Sequence, residues 1–171
     1  EWQVRSFTFD ELKAGSDRLA GALAAMGVER GDRVAVLLPQ RFETAVAHLA
    51  TFKLGAIGVP LSSLFRAQAL EHRLSVSGSK VLVTDPDGWR HVAPLRGSLP
   101  DLRAVLCCDS APAGTHDLKS TIARARPIDA LADTSAEDPA MLVFTSGTMG
   151  LPRGALHAHR FVPGRLGSFE L

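Results

Sequence analysis

Arg33-Val34-Ala35-Val36-Leu37-Leu38 is a short, nearly continuous apolar run, the pattern of a parallel strand buried on both faces. The turn-forming Glu29-Arg30-Gly31-Asp32 precedes it. Further upstream, Thr8-Phe9-Asp10-Glu11 has the spacing of a capping box, with Thr at the cap and Glu three residues later. Leu12, Leu19, Ala20, Leu23 and Ala24 then recur at helical spacing. Gly27 stands where a glycine ends such a helix. A helix feeding a buried strand is the unit that the rest of the chain repeats.

Downstream, residues 44–54 read as a helix stopped by Gly55, and Ile57-Gly58-Val59-Pro60 as a short strand. Residues 67–76 read as a helix and Lys80-Val81-Leu82-Val83-Thr84 as a strand. A short helix is expected over 87–95, a strand over 103–107 and a short helix over 118–124. Residues 127–139, rich in Asp, Ala and Pro, read as a surface linker inside a single unit spanning 1–171. Ala140-Met141-Leu142-Val143-Phe144 is another strand, and Gly154-Ala155-Leu156-His157-Ala158 one more. Alternating helices and apolar strands imply an α/β fold, a mostly parallel sheet flanked by helices.

With 171 residues the chain has the length of one domain. Its 19 basic and 18 acidic residues leave a net charge of +1, too balanced for a nucleic-acid partner or an anionic membrane surface. No apolar run approaches the ~18 residues of a membrane span. The opening Glu1-Trp2-Gln3-Val4-Arg5 is not a signal peptide and carries no initiator Met. The chain is therefore expected to belong to a longer, cytoplasmic protein. Cys107 and Cys108 are neighbours on a strand, where side chains alternate faces. They are expected to be buried thiols and not a disulfide.

Chemistry concentrates in Phe144-Thr145-Ser146-Gly147-Thr148-Met149-Gly150-Leu151-Pro152-Arg153-Gly154. Hydroxyls, glycines and one cation crowd together just after an apolar strand. Glycines let backbone N–H groups approach a ligand closely, and successive N–H groups can form a nest for anions. Hydroxyls add donors, and Arg153 adds a permanent charge. The Gly-x4-Gly-Lys-[Ser/Thr] spacing of the common phosphate loop fails from both Gly147 and Gly150, and no Gly-x-Gly-x-x-Gly occurs. Residue chemistry alone leaves two readings, a polyphosphate cradle and a polar loop joining two strands.

The stretch resembles the signature loop of the adenylate-forming (AMP-binding) superfamily, whose pattern is aromatic-Thr-Ser-Gly-Thr-Thr-Gly-x-Pro-Lys-Gly. That superfamily includes acyl-CoA synthetases, adenylation domains of peptide synthetases, and luciferases. Phe7-Thr8-Phe9-Asp10-Glu11-Leu12, Gly31-Asp32-Arg33-Val34-Ala35 and Leu54-Gly55-Ala56-Ile57-Gly58-Val59-Pro60-Leu61 are also similar to family segments, in the family's order. Gly154-Ala155-Leu156-His157-Ala158-His159-Arg160 is most similar to the acyl-CoA synthetase branch. The resemblance implies the large N-terminal domain of an adenylate-forming enzyme. It implies MgATP-dependent conversion of a carboxylic acid, of short- or medium-chain fatty type, to an acyl-adenylate, then transfer to coenzyme A. It places Thr145, Ser146, Gly147, Thr148, Met149, Gly150 and Arg153 on the ATP phosphates.

Two departures stand out: Met149 where the pattern has Thr or Ser, and Arg153 where it has Lys. The family's metal-binding Glu, its ribose-binding Asp and its late catalytic Lys have no counterpart in these residues. No catalytic residue and no metal ligand is therefore assigned here, and this chain alone is expected to be inactive. A carrier-protein-loading adenylation enzyme and a non-catalytic nucleotide-binding module are the alternatives. A cut at Phe169-Glu170-Leu171 would expose core surface and favour self-association, for example as a homodimer.

Other residues carry less. His157 and His159 are expected to alternate across the last strand without a third ligand for a metal. His48, His72, His91 and His116 are scattered and form no constellation. Asp85-Pro86-Asp87-Gly88 reads as a turn, and Trp2 and Trp89 as packing residues.

Overall fold

The computed structural model describes residues 5–145, 151–161 and 163–164. The first helix, α1 (Phe9–Ala25), starts as its capping box requires. Thr8 Oγ1 accepts the Glu11 N–H at 3.1 Å, and the Glu11 carboxylate accepts the Thr8 N–H at 2.7 Å. Gly27, with φ of 82°, turns the chain after the helix. There follow β1 (Arg33–Leu37), α2 (Phe42–Lys53), β2 (Ile57–Leu61), α3 (Ala67–Ser77), β3 (Val81–Thr84) and α4 (Pro86–Val92). A 3-10 segment, Ala93–Ser98, leads to β4 (Ala104–Cys107), β5 (His116–Asp117), α5 (Leu118–Arg124), β6 (Pro139–Thr145) and β7 (Arg153–Ala158).

The strands form one sheet in the order β5-β4-β3-β1-β2-β6-β7. Every pairing is parallel except β6 with β7. The apolar run of β1 lies at the centre, and Val34, Ala35, Val36 and Leu37 are all at most 2% exposed. Alternation along the strands splits the core in two. Val34 and Val36 join Leu19 and Leu23 of α1 and Val46 and Ala50 of α2 on one face. On the other, Ala35 and Leu37 join Leu70 and Leu74 of α3, and Trp89 and Val92 of α4. Each fully buried Leu contributes roughly 1.5–3 kcal/mol of transfer free energy.

Ion pairs tie the first layer together. Lys53 of α2 donates to Asp17 of α1 at 2.5 Å and to Ser16 Oγ at 2.7 Å. Asp32 accepts from Lys80 at 2.6 Å. Burial alone would raise the Asp32 carboxyl, but the Lys80 hydrogen bond, with the Glu29 N–H, holds it below its ordinary value.

Residues 125–138 form no helix or strand, yet they lie on the first layer through backbone bonds. The Ile128 N–H donates to the Asp17 carbonyl at 3.1 Å, and the Ala132 N–H to the Lys53 carbonyl at 2.9 Å. At the crossing over α1, a Cβ on Gly21 would sit 1.9 Å from the Arg126 carbonyl oxygen. Only a glycine permits that approach.

Several details differ from the sequence reading. Asp85-Pro86-Asp87-Gly88 opens α4 and is not a free turn, because Asp85 Oδ1 caps the Gly88 N–H at 2.8 Å and Pro86 takes the first helical turn. The helix expected over 87–95 ends at Val92, and a 3-10 segment carries the chain to Ser98. The two-residue β5 has no apolar signature of its own and is fixed by pairing with Leu106 and Cys107. His159 lies in a 3-10 turn past the end of β7, so the two histidines do not alternate on one strand. Cys107 and Cys108 are both buried and unbridged, and Trp89 packs in the second core; Trp2 lies outside the described residues. Among the described residues no helix is long and apolar enough to cross a membrane.

Candidate functional site

The glycine-rich stretch joins β6 to β7, and the antiparallel register sets Thr145 opposite Arg153 at its mouth. β6 runs parallel to β2, so Thr145 lies at the carboxyl edge of the sheet, where open α/β folds bind ligands. Because opposed residues share a face, Thr145 and Arg153 stand together, while Phe144 and Gly154 stand on the other side. Thr145 Oγ1 donates to the Arg153 carbonyl at 3.5 Å, a long bond. The Arg153 guanidinium is exposed and makes no ion pair among the described residues. A hydroxyl and an uncompensated cation thus flank the entrance to the loop. Ser146, Gly147, Thr148, Met149 and Gly150, assigned to the same site from the sequence, lie outside the described residues.

The face that carries Phe144 is supported by α3. Arg73 of α3 lies 4.0 Å from the Phe65 ring centroid and 5.7 Å from that of Phe144. It is 7% exposed, its Nη1 donates to the Ala69 carbonyl at 2.8 Å, and its Nε has no hydrogen-bond partner. Burial lowers its pKa. The two ring faces compensate the buried cation, each such contact contributing up to about 2 kcal/mol when water is excluded. His72, the residue before it, meets Phe144 edge-on at 6.4 Å and lies 3.0 Å through Nε2 from the Pro152 carbonyl. Nothing in the sequence connects this histidine to the loop. It sits eighty positions before Pro152 in the chain, and neither spacing nor composition links them.

Gly154 completes the fit. A Cβ there would lie 2.8 Å from Leu142 Cδ1, so its bareness lets the Leu142 side chain cross the hairpin. Alongside α3 runs an open groove of about 790 Å³ lined by His72, Arg73, Val76, Leu151 and Pro152 among others. A second crevice, of about 750 Å³, opens beyond β1, β2 and β3 at Pro39, Ser63, Arg66 and Asp85. There Asp85 and Asp87 offset Arg66 and Arg90, so the crevice has no net pull on an anion. At the loop mouth the Arg153 charge has no carboxylate partner among the described residues. Among the described residues no three His, Cys, Asp or Glu side chains gather to hold a metal ion.

Comparison with known proteins identifies the family of the chain. A family profile described as AMP-binding enzyme matches residues 2–166. The chain is 32% identical over 157 residues to an uncharacterised acyl–CoA ligase of Bacillus subtilis (strain 168), covering 90% of this chain and 28% of that one. It is 33% identical over 162 residues to the medium-chain fatty-acid–CoA ligase of Escherichia coli (strain K12), covering 90% of this chain and 28% of that one. Among solved structures, an anthranilate CoA ligase in complex with anthranoyl-AMP superposes with a TM-score of 0.91 at 26% identity, over 95% of this chain and 32% of that chain. The chain thus spans less than a third of the length of these proteins.

Proposed function

Because the chain belongs to the AMP-binding enzyme family, we propose that it forms the phosphate-holding part of an ATP-dependent acid–CoA ligase. In that reaction a substrate carboxylate oxygen attacks the α-phosphorus of ATP. The bond from that phosphorus to the bridging oxygen breaks, and pyrophosphate leaves. The coenzyme A sulfur then attacks the acyl carbon of the adenylate, and AMP departs. The acid is a fatty acid of short or medium chain, a reading supported by the name of the Escherichia coli relative.

This chain's part is electrostatic. Charge builds on the β- and γ-phosphates as the bond to the α-phosphate breaks, and fixed donors aimed at that charge stabilise it. Thr145 and Arg153 supply a hydroxyl and a guanidinium at the loop mouth, and Ser146, Gly147, Thr148, Met149 and Gly150 complete the cradle. Arg153 presents a planar fork whose parallel N–H donors match two phosphate oxygens, where a lysine offers a compact point charge. The segment 145–153 holds no carboxylate, and the described residues contain no metal-binding cluster. This stretch therefore offers donors to the phosphates and no carboxylate to the magnesium that accompanies ATP. The chain by itself forms no acyl-adenylate, since the acid, ribose and coenzyme A contacts and the proton-handling groups belong to other parts of the protein.

The observation that carries this reading is the pairing of Thr145 with Arg153, which makes no ion pair among the described residues, at the carboxyl edge of the sheet. Titration calorimetry with ATP and with inorganic tripolyphosphate tests it. A hydrogen bond to a charged group contributes about 1.5–3 kcal/mol, so Arg153→Ala should weaken both ligands roughly ten- to a hundredfold, and Arg153→Lys by much less. Equal affinity of Arg153→Ala and the wild type would overturn the assignment.

A further inference from the structure

We infer that His72 is a positioning residue for the phosphate site, acting through the backbone of Pro152, with Arg73 holding the opposite end of the loop. The inference rests on the phosphate reading of the loop and adds to it a support that lies outside the loop's own sequence. Three contacts carry it. His72 Nε2 is 3.0 Å from the Pro152 carbonyl oxygen, one residue before Arg153. A carbonyl only accepts, so Nε2 must carry the proton and donate. The same imidazole meets the edge of Phe144, and the Arg73 guanidinium faces that ring at 5.7 Å. Phe144 is the residue before Thr145.

Two adjacent residues of α3 therefore grip both sides of the loop mouth. One fixes the carbonyl that leads into Arg153, and the other fixes the ring that leads into Thr145. The packing gives a reason why the grip matters. β6 is held to β2 by a single register pair, Gly58 with Met141, and no residue of β7 is fully buried. The sheet itself thus constrains the hairpin weakly, and α3 sets where its tip lies. Both the neutral Nε2–H tautomer and the imidazolium can make the bond, so the grip survives protonation.

The test uses the 171-residue chain and inorganic tripolyphosphate. His72→Phe keeps a ring against Phe144 but removes the donor; His72→Gln keeps an N–H near the Nε2 position. His72→Phe is expected to weaken tripolyphosphate binding about three- to tenfold, the effect of one net hydrogen bond, with His72→Gln within about twofold of wild type by the same scale. Melting temperatures of the two variants are expected to coincide, which separates positioning from general loss of stability. Long-range ¹H–¹⁵N spectra of the wild type supply a check that needs no variant, and they should show the proton on Nε2. A wild type that fails to bind tripolyphosphate overturns the phosphate reading and this inference with it. A wild type that binds, with His72→Phe binding equally well, overturns the inference alone. So does a neutral His72 protonated on Nδ1.

Discussion

Gly21→Ala is a substitution for which helix propensity and tertiary packing predict opposite signs. Gly21 lies inside α1 (Phe9–Ala25). Alanine is favoured over glycine in a helix interior by about 1 kcal/mol, so local reasoning predicts a more stable protein. The packing predicts the reverse. The added Cβ would stand 1.9 Å from the Arg126 carbonyl oxygen and 3.1 Å from its carbon. Those are backbone atoms, not the far end of a flexible side chain. To reach ordinary contact, 3.4 Å or more, the crossing segment must retreat by about 1.5 Å. That retreat would pull Ile128 off the Asp17 carbonyl, where its N–H bond is 3.1 Å long, and Ala125 off Arg18, also at 3.1 Å. Overpacking of this kind costs about 1–3 kcal/mol, and a lost hydrogen bond about 1 kcal/mol more. After the propensity gain, a net destabilisation of about 1–3 kcal/mol remains. Urea unfolding followed by far-ultraviolet circular dichroism reads the difference directly. Gly97→Ala is the control, since a Cβ there meets nothing within 4 Å. A Gly21→Ala protein as stable as wild type, or more so, would refute the close crossing of residues 125–128 over α1.

Two further predictions concern ionisable groups. The Asp17 carboxyl is held below its ordinary value by hydrogen bonds from Lys13, at 2.7 Å, and Lys53, at 2.5 Å. A depressed carboxylate contributes stability that is present above its unfolded value and lost as pH falls through the folded one. Asp17→Asn should therefore be less stable than wild type by about 1 kcal/mol at neutral pH, and the gap should close below about pH 4; a gap independent of pH would contradict the pairing. Burial pushes the Cys107 thiol up to about 11 and the Cys108 thiol up to about 12. Neither should react with iodoacetamide at pH 8 while the chain is folded, and both should react in urea. Labelling of the folded chain at the rate of a free thiol would place them at the surface instead.

The parts of the fold that could be read from the sequence are those where burial writes a periodic signal. α1 repeats its apolar residues at helical spacing between a capping box and a glycine, and its observed span is Phe9–Ala25. β1 is apolar from Val34 to Leu37 because helices cover both faces of the sheet. Where position depends on a distant partner, the signal is missing. β5 is two polar residues made into a strand by Leu106 and Cys107. Asp85 and Pro86 suit a turn and a helix start equally well, and the choice is made by Trp89 and Val92, which enter the second core only if the helix forms. The candidate loop stands out in the sequence because its residues are consecutive, Thr145 to Arg153, and its flanking strands are those expected. Its supports on α3 do not, because an ordinary histidine and arginine gain their roles only when the sheet brings Pro152 and Phe144 beside them.

The distribution of burial explains why those supports lie on α3. β1, β3 and β4 are almost wholly buried, between helices on two faces. On β6, by contrast, Ala140 is the buried residue of seven, and Leu156 on β7 is 57% exposed. Segments with few buried apolar contacts open locally at less cost than the whole domain unfolds. A phosphate loop carried on such a hairpin would have its donors displaced by small strand movements, and electrostatic stabilisation depends on donors fixed in advance. The described residues meet that requirement from one side. Leu142 and Phe144 join the second core, and α3, itself anchored by Leu70 and Leu74 at no more than 2% exposure, presents His72 and Arg73 to the hairpin. The rigidity of the core is thus passed to the loop mouth through a carbonyl and a ring. On the proposed phosphate role of the loop, an alteration of α3 that leaves the core intact is expected to change phosphate affinity without touching any residue of the loop.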